Sequence, residues 1–457
     1  QKQSVTHIQL FHFFKKQPMY SSILHITSKR LRQMSISTRF HSTSNTSPIL
    51  ISGAGPVGLT LALLLARHDI PTTILERRHY LCGEEPTYSD NHHQQQFPPS
   101  HPRAHVLNAR TMEIFRAMGL EEQVRALAPP DTQWSNFRYC QSLTGDDYSV
   151  DHHTSHGNLR YDNLMQHTPS FITHVSQPKL EALLLKEVRK QSDLITLHTN
   201  ANVTDFVTNK NSNTTVTIRR GIESNGERNN EKDVNNTTEE ITMECQYLAG
   251  CDGAGSIVRE KLQIPLNGEH ALERFASIHF TAPHLAPLMG GTSRGSMLYF
   301  VMNPKIIACV VGHDIEEGSY VAQIPIFPPH HEYMGNEKNH EWQIFCDNAV
   351  DACIGTDIER TVHSSRVWSM DSLCADTFHN KECNVFLLGD SAHQLPPSGG
   401  FGLNTGIQDA HNLAWKMAKT CISKDSTINE IATKETMENN IDLMSSYTKE
   451  RRPVGTF

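Results

Sequence analysis

Three short stretches of this 457-residue chain carry residue types whose spacing suits chemistry on a nucleotide. The first is Gly53-Ala54-Gly55-Pro56-Val57-Gly58, directly after the apolar run Ile49-Leu50-Ile51. There the first glycine permits a tight turn, the second lets main chain approach a pyrophosphate, and the third lets a helix pack close to a strand. The N–H groups at the start of that helix then face the phosphates. Glu76, followed by Arg77, closes the next apolar run about 20 residues on, where a carboxylate accepts hydrogen bonds from ribose hydroxyls. The second stretch is Tyr247-Leu248-Ala249-Gly250-Cys251-Asp252-Gly253, followed by Ser256 and Arg259. The third runs from Val385 to Asn404, with Gly389-Asp390 after a wholly apolar run. Asp390 is placed to accept from the hydroxyls of a ligand, and Gly399, Gly400 and Gly402 let main chain lie against a flat ring. A helix from Leu403 points its positive end at the same place.

The elements that must position these residues can be read from apolar periodicity. Pro48 to Ile51, a helical stretch to His68 and a strand at Thr72 to Leu75 make a βαβ start. Residues 83 to 102, rich in His, Gln, Pro and Ser, read as an exposed loop. Ala104 to Met118 has helical spacing and stops at Gly119, and another helix starts at Ser176 with Pro178 in its first turn. Between 194 and 243, short Thr/Val/Ile runs with Asn-rich gaps predict a β-meander whose 221–237 loop is low in apolar residues. From 265 the strands lengthen and gain aromatic residues, as in Met297 to Val301 and Ile306 to Val311, and after 380 the nucleotide-binding pattern returns. The expected fold is therefore α/β: a discontinuous Rossmann-like domain over 47–264 and 381–457, with a mixed β-sheet substrate subdomain inserted at 265–380.

The formal net charge of -8 lacks the excess of Lys and Arg that nucleic acid requires, so nucleic acid is not an expected partner. Ten cysteines, among them Cys82, Cys140, Cys251, Cys309 and Cys383, show no CxxC pair and read as free thiols in a reducing compartment. The 27 histidines include His92-His93, His152-His153 and His330-His331, none at helical ligand spacing, and no metal is expected. No apolar run approaches the roughly 20 residues that span a bilayer. The first 68 residues hold no Asp or Glu, while Lys2, Lys15, Lys16, Lys29, Arg30, Arg32 and Arg39 are scattered among Ser, Thr and Phe. That is transit-peptide composition and predicts a mitochondrial leader over 1–46, the alternative being a disordered basic tail on a cytoplasmic protein.

The motifs resemble those of the FAD-dependent aromatic-ring hydroxylases, single-component flavoprotein monooxygenases. Tyr247 to Gly253 looks like that family's internal DG motif, and VFLLGDSAHQLPPSGGFGLN over 385–404 looks like its GD motif. Similarity runs from about residue 48 to Gly455 and includes Pro102-Arg103-Ala104, Asn108 to Glu113 and the helix at Gln177. The resemblance implies bound FAD, NADPH or NADH as a transient co-substrate without its own glycine fingerprint, and dioxygen. A flavin hydroperoxide would then transfer oxygen to an electron-rich ring. It also implies that Gly53, Gly55, Pro56, Gly58, Glu76 and Arg77 hold the adenosine half, with Arg103 on the pyrophosphate and Gln177 near the cofactor. Asp252 would sit where the DG motif helps both FAD and pyridine-nucleotide binding, Gly389 and Asp390 would meet the ribityl chain, and Pro397, Gly402, Leu403 and Asn404 would line the isoalloxazine. Arg294 and Tyr299 are the candidate contacts to a phenolic substrate, and a homodimer is the candidate assembly. The chain departs from the family by ending just after Arg451-Arg452-Pro453-Val454-Gly455, where relatives continue. Two other readings fit the same motifs: a mitochondrial hydroxylase of quinone biosynthesis, and a non-catalytic flavin-binding or redox-sensing protein.

Overall fold

In the computed structural model the described residues are 46–78, 101–153, 162–163, 166–209, 213–221, 238–327, 340–425 and 434–456. The expected leader up to residue 45, nearly all of the 83–102 loop and the loop after Gly221 lie outside them. β1 (Thr46–Ser52) is held by Ile49, Leu50 and Ile51, none of them exposed. The turn at Gly53 leads into α1 (Pro56–Ala66), where Pro56 in the first turn presets φ and lacks an N–H that would have no helical partner anyway. Leu59 to Ala66 are buried around the whole circumference, because α1 packs between the first sheet and two later helices. A helix enclosed in this way reads as continuous apolar sequence instead of a stripe. β2 (Thr72–Leu75) runs parallel to β1, setting Leu75 beside Ser52.

Next come β3 (Val106–Leu107), α2 (Ala109–Met118), β4 (Phe137–Cys140), β5 (Asp147–Asp151), β6 (Thr173–His174) and α3 (Gln177–Lys190). The helix expected from Ala104 starts only at Ala109. The Asn108 side chain caps it by accepting from Thr111 N at 2.9 Å, and Gly119 ends it with φ +77°. Residues 104–107 are extended because their carbonyls accept from the strand before α3: Val175 N donates to His105 O and Gln177 N to Ala104 O. Tertiary pairing here overrides a helical apolar pattern.

β7 (Ile195–His198), β8 (Ala201–Thr208), β9 (Thr214–Gly221) and β10 (Thr238–Gly250) complete most of the first sheet, whose order is β7-β2-β1-β10-β9-β8. β8, β9 and β10 are antiparallel. The second, eight-stranded sheet is built from β11 (Leu266–Thr281), β12 (Leu298–Asn303), β13 (Ile306–Asp314) and β14 (Ser319–Pro325). After α4 (His340–Ile354) it gains β15 (Thr361–Ala375). β4 and β5 from the earlier part of the chain join its far edge, β4 parallel to β12. One face of this sheet packs Ala276, Ile278, Phe280, Val310, Tyr320 and Ile324 with Trp342, Cys346 and Val350 of α4 into a core of its own. Alternation sends Ser277, His279, His313 and Gln323 to the opposite face.

β16 (Val385–Leu387) returns to the first sheet parallel to β10, and β17 (His393–Gln394) pairs with β15 in the second. α5 (Phe401–Asp425) and α6 (Lys434–Gly455) close the chain. The fold is thus α/β, with mixed sheets in both layers. Among the described residues no helix is long and apolar enough to cross a membrane, and nine cysteines are free thiols.

One buried carboxylate ties the last part together. Asp409 of α5 is fully buried and accepts from Gly389 N at 3.1 Å, His393 Nε2 at 2.7 Å and Arg451 Nε of α6 at 2.7 Å. Removing one member of such a buried set leaves the others desolvated and unpaired. Asp409→Ala is therefore expected to cost about 3–5 kcal/mol, read as a drop in the urea midpoint, and an unchanged midpoint would show that the network is not needed to hold α6.

Candidate cofactor site

The cradle begins where β1 turns. Gly53 has φ +106°, and a side chain there would strike the Cys251 carbonyl. A side chain at Gly58 would strike the Gly53 carbonyl. These two glycines are therefore demanded by the protein's own packing. Gly55 differs, because a Cβ built there meets nothing within 4 Å. It sits at the N-cap of α1, extended at φ -76° and ψ 179°, so the space above the helix start is open to a ligand and no internal contact explains the glycine. Glu76 is buried and accepts from Ala54 N at 2.7 Å and from Arg78 N and Nε at 2.8 and 2.9 Å. Arg77 is exposed. It is Arg78, overlooked in the sequence, that braces Glu76, and it also reaches Glu181 at 3.5 Å.

Gln177, at the start of α3, accepts from Ala104 N at 3.3 Å and donates to Glu181 at 2.7 Å, so its side chain fixes the Arg103 segment to the helix. Burial raises the Glu181 carboxyl above its ordinary value, opposed by the bonds from Gln177 and Arg78. Arg103 itself is exposed.

The two later motifs are bolted to each other. Besides the β10–β16 pairing that sets Gly250 beside Leu387, Ser391 Oγ donates to Gly250 O at 2.6 Å. Arg259 spans both, donating to Ser391 O at 3.0 Å and to Ala254 O at 2.9 Å. Asp252 accepts from Val258 N at 3.2 Å through one oxygen, while its other oxygen is buried without a partner. Burial pushes the Asp252 carboxyl up, partly offset by the Ser256 hydroxyl. Gly389 turns with φ +59° against Val57 of α1, so the first and third motifs touch directly. Asp390 reaches the surface in a crowded setting that raises its carboxyl above the ordinary value, with the His393 and Arg103 charges pulling the other way.

Of the residues expected along the flat ring, Pro397 is exposed, and Gly402 and Leu403 are half-buried where α5 starts, two residues earlier than Leu403. Asn404 is buried, and its side chain is engaged within the protein. It donates to Val106 O at 2.8 Å and Gly400 O at 2.6 Å and accepts from Asn108 N at 2.8 Å. It therefore shapes the loop instead of offering a free amide. Among the described residues no contact brings Arg294 or Tyr299 to this cradle. Arg294 pairs with Asp147 at 2.6 Å, and the buried Tyr299 hydroxyl donates to Arg294 O at 3.2 Å and accepts from Ser296 N at 3.0 Å, within the second sheet's core.

Sequence reading also passed over a buried set of histidines where the Val106 strand meets the second sheet. His174 is fully buried, and its Nε2 bonds to Gly312 O at 2.8 Å. Since a carbonyl only accepts, Nε2 carries the hydrogen, and the bare Nδ1 accepts from His105 Nδ1 at 3.2 Å. His101 bonds Ser277 at 2.8 Å and Ser364 at 2.7 Å. Burial lowers His101 from 6.5 to about 3, and His174 and His279 to about 4, with His105 and His313 well below 6.5. The signal in the sequence was the alternation Ser277-Ile278-His279-Phe280, which puts polar groups on one face of a strand buried on both.

The residues present fit FAD: an open cradle at Gly55, a braced acid at Glu76, an unpartnered buried oxygen on Asp252 and an accessible acid at Asp390, linked through main chain.

A family model described as an FAD binding domain matches residues 46–456. The 2,4-dichlorophenol 6-monooxygenase of Delftia acidovorans is 27% identical over 427 residues, covering 89% of this chain and 60% of that protein. The 4-methyl-5-nitrocatechol 5-monooxygenase of a Burkholderia species is 29% identical over 413 residues, covering 89% and 64%. Among solved structures, the flavin-dependent monooxygenase PieE in complex with FAD and substrate superposes with a TM-score of 0.70 at 25% identity, over 90% of this chain and 62% of that one. The chain thus spans about 60% of the length of the curated relatives it matches.

Gly55→Val is expected to fold normally, because its side chain enters open space, yet to purify with less than about a tenth of the wild-type flavin absorbance, since the space is where phosphate would lie. Equal flavin content in the two proteins would remove the cradle assignment. The buried histidines predict a pH effect as well. Their folded values lie below that of an unfolded histidine, so the unfolded chain binds more protons; stability is full above 6.5 and falls as the pH drops through 6.5 toward about 4. Calorimetric melting between about pH 7.5 and about pH 5 should show the midpoint falling, and a flat profile across that window would contradict a neutral histidine set.

Proposed function

The chain belongs to the family of FAD binding domains matched over residues 46–456, and from that premise we propose that it is the catalytic part of an FAD-dependent monooxygenase that uses NAD(P)H and dioxygen to hydroxylate a phenolic ring. The observation that carries this reading is the junction of the three motifs, with Gly389 against Val57 and Ser391 on Gly250, beside a second sheet whose inner face is polar but buried. Both curated relatives named above are monooxygenases of phenols or catechols, which supports the substrate class.

In this reading Gly55 and the first N–H groups of α1 hold the pyrophosphate, and exposed Arg103 adds charge to it. Glu76, kept in place by Ala54 and Arg78, accepts from ribose hydroxyls with its remaining lone pairs, and Asp390 does the same for the ribityl chain. The positive end of α5 faces the ring edge that gains negative charge on reduction. With FAD bound, the cofactor supplies hydride acceptance and oxygen transfer. The protein's part is to orient the ring, to bring the aromatic substrate onto the inner face of the second sheet, and to keep water away. NAD(P)H would approach transiently, because among the described strands only β1 leads into a glycine turn of this kind. Segments 47–264 and 381–457 would serve the cofactor, and 265–380 with β4 and β5 the substrate.

FAD-loaded protein is expected to oxidise NADPH or NADH slowly alone and at least about tenfold faster with a fitting phenol, consuming dioxygen alongside. With labelled dioxygen the phenol should gain one labelled oxygen atom by mass spectrometry. A screen of phenols, chlorophenols and polyprenyl phenols that yields peroxide but never an oxygenated product would reduce the chain to a flavin-binding or sensing protein.

A further inference from the structure

His313 sits near the centre of the buried histidine set, 5% exposed, and both of its ring nitrogens are buried without a hydrogen-bond partner among the described residues. A buried donor and acceptor left unmet on one ring is costly, and the packing of β13 gains nothing from it that a phenylalanine would not supply. The other rings are used differently. His174 is bonded on both nitrogens, to Gly312 O and His105, and His101 is bonded on both, to Ser277 and Ser364. His105 and His174 stand 5.6 and 6.3 Å from the His313 ring, which also feels His279 and His101. These rings do not converge on one point as metal ligands do. Beside His174, Lys179 is paired to Asp314 at 3.0 Å, and beside His101 the Arg366 and Arg103 charges help to lower that ring.

The location ties the set to the cofactor loop. His105 precedes Val106, whose carbonyl accepts from Asn404 at 2.8 Å and whose side chain lies against Gly400. His313 reaches the same region from the second sheet, on the face opposite the α4 core. A neutral imidazole offers one N–H and one lone pair, as a phenolic hydroxyl does, so each can both donate to and accept from the other.

We propose that His313 is the specificity residue for the substrate hydroxyl, through which the site selects a free aromatic hydroxyl over a blocked one. This rests on the reading that the aromatic substrate occupies the inner face of the second sheet. His105 and His174 act as positioning residues, their Nδ1 bond fixing the tautomers beside His313.

The test uses the FAD-loaded full chain and calorimetric titration with 4-methylphenol and 4-methylanisole, matched in shape but differing in a free against a blocked hydroxyl. The phenol should bind about tenfold or more tighter than the anisole. His313→Phe should lose about tenfold for the phenol while leaving the anisole unchanged, and should melt no lower than the parent because it removes two unpaired buried nitrogens. His313→Gln, which restores a donor and an acceptor, should recover most of the phenol affinity. The inference is overturned if the anisole binds as tightly as the phenol, if the phenol does not bind, or if folded, yellow His313→Phe binds the phenol like the parent. Failure of the parent chain to take up FAD would instead bring down the flavoprotein reading beneath it.

Discussion

The architecture depends on a carboxylate that faces no solvent. Asp409 lies on the inner side of α5 and gathers three donors from three places: the backbone of the Gly389 turn, the ring of His393 and the guanidinium of Arg451. Each would be destabilising alone in that setting, and the charge balance makes the group viable. The consequence reaches the cofactor site, since Gly389 must hold a positive φ for Asp390 to emerge next to the start of α5. Tyr447 of α6 adds a bond to Leu387 O at 2.9 Å, so the last helix of the chain supports the strand that carries the third motif.

What could be read from the sequence was what main-chain geometry demands. Glycines at 53 and 58 are required by carbonyls that would otherwise collide with a side chain, and such requirements leave a fixed residue type at a fixed spacing. β2 was legible to the residue for a different reason, because Thr72 to Leu75 is a short β-branched and apolar run, buried throughout, between Pro71 and the acid Glu76. The α2 boundary was not, because apolar spacing in 104–107 is equally served by a short strand, and the pairing with Thr173 and His174 that decides between them comes from far along the chain.

Side-chain roles were less legible than backbone ones. Arg77 and Arg78 are adjacent and identical in type, and only the direction of the chain after β2 decides that Arg78 turns inward to Glu76. Asn404 sits in a motif that suggests contact with a ring, yet its three bonds run to Val106, Gly400 and Asn108. Tyr299 lies on a strand of the expected subdomain but on the face that packs against α4. The histidine set was hidden because its members come from four separate parts of the chain, His101 with His105, then His174, His279 and His313, none of them remarkable among 27.

The second sheet shows how one strand can serve stability and site together. Ser365 bonds Trp342 of α4 and Val367 packs on the same core, whereas Ser364 bonds His101 and Trp368 bonds Gln323 on the other face. Strict alternation would then place Val362 with Ser364, but Val362 packs on the α4 core. The register shift between His279 and Phe280 resolves this: His279 pairs with Ser364 and Phe280 with Val362, so His363 is the extra residue of a bulge. That residue resets the alternation, and it lets the His363 ring come within 5.0 Å of His279. Without the bulge, a one-residue slip would exchange the two faces of the strand end, sending apolar side chains into the histidine set and polar ones into the α4 core. The irregularity is therefore what allows a buried polar face and an apolar core to share the same pair of strands.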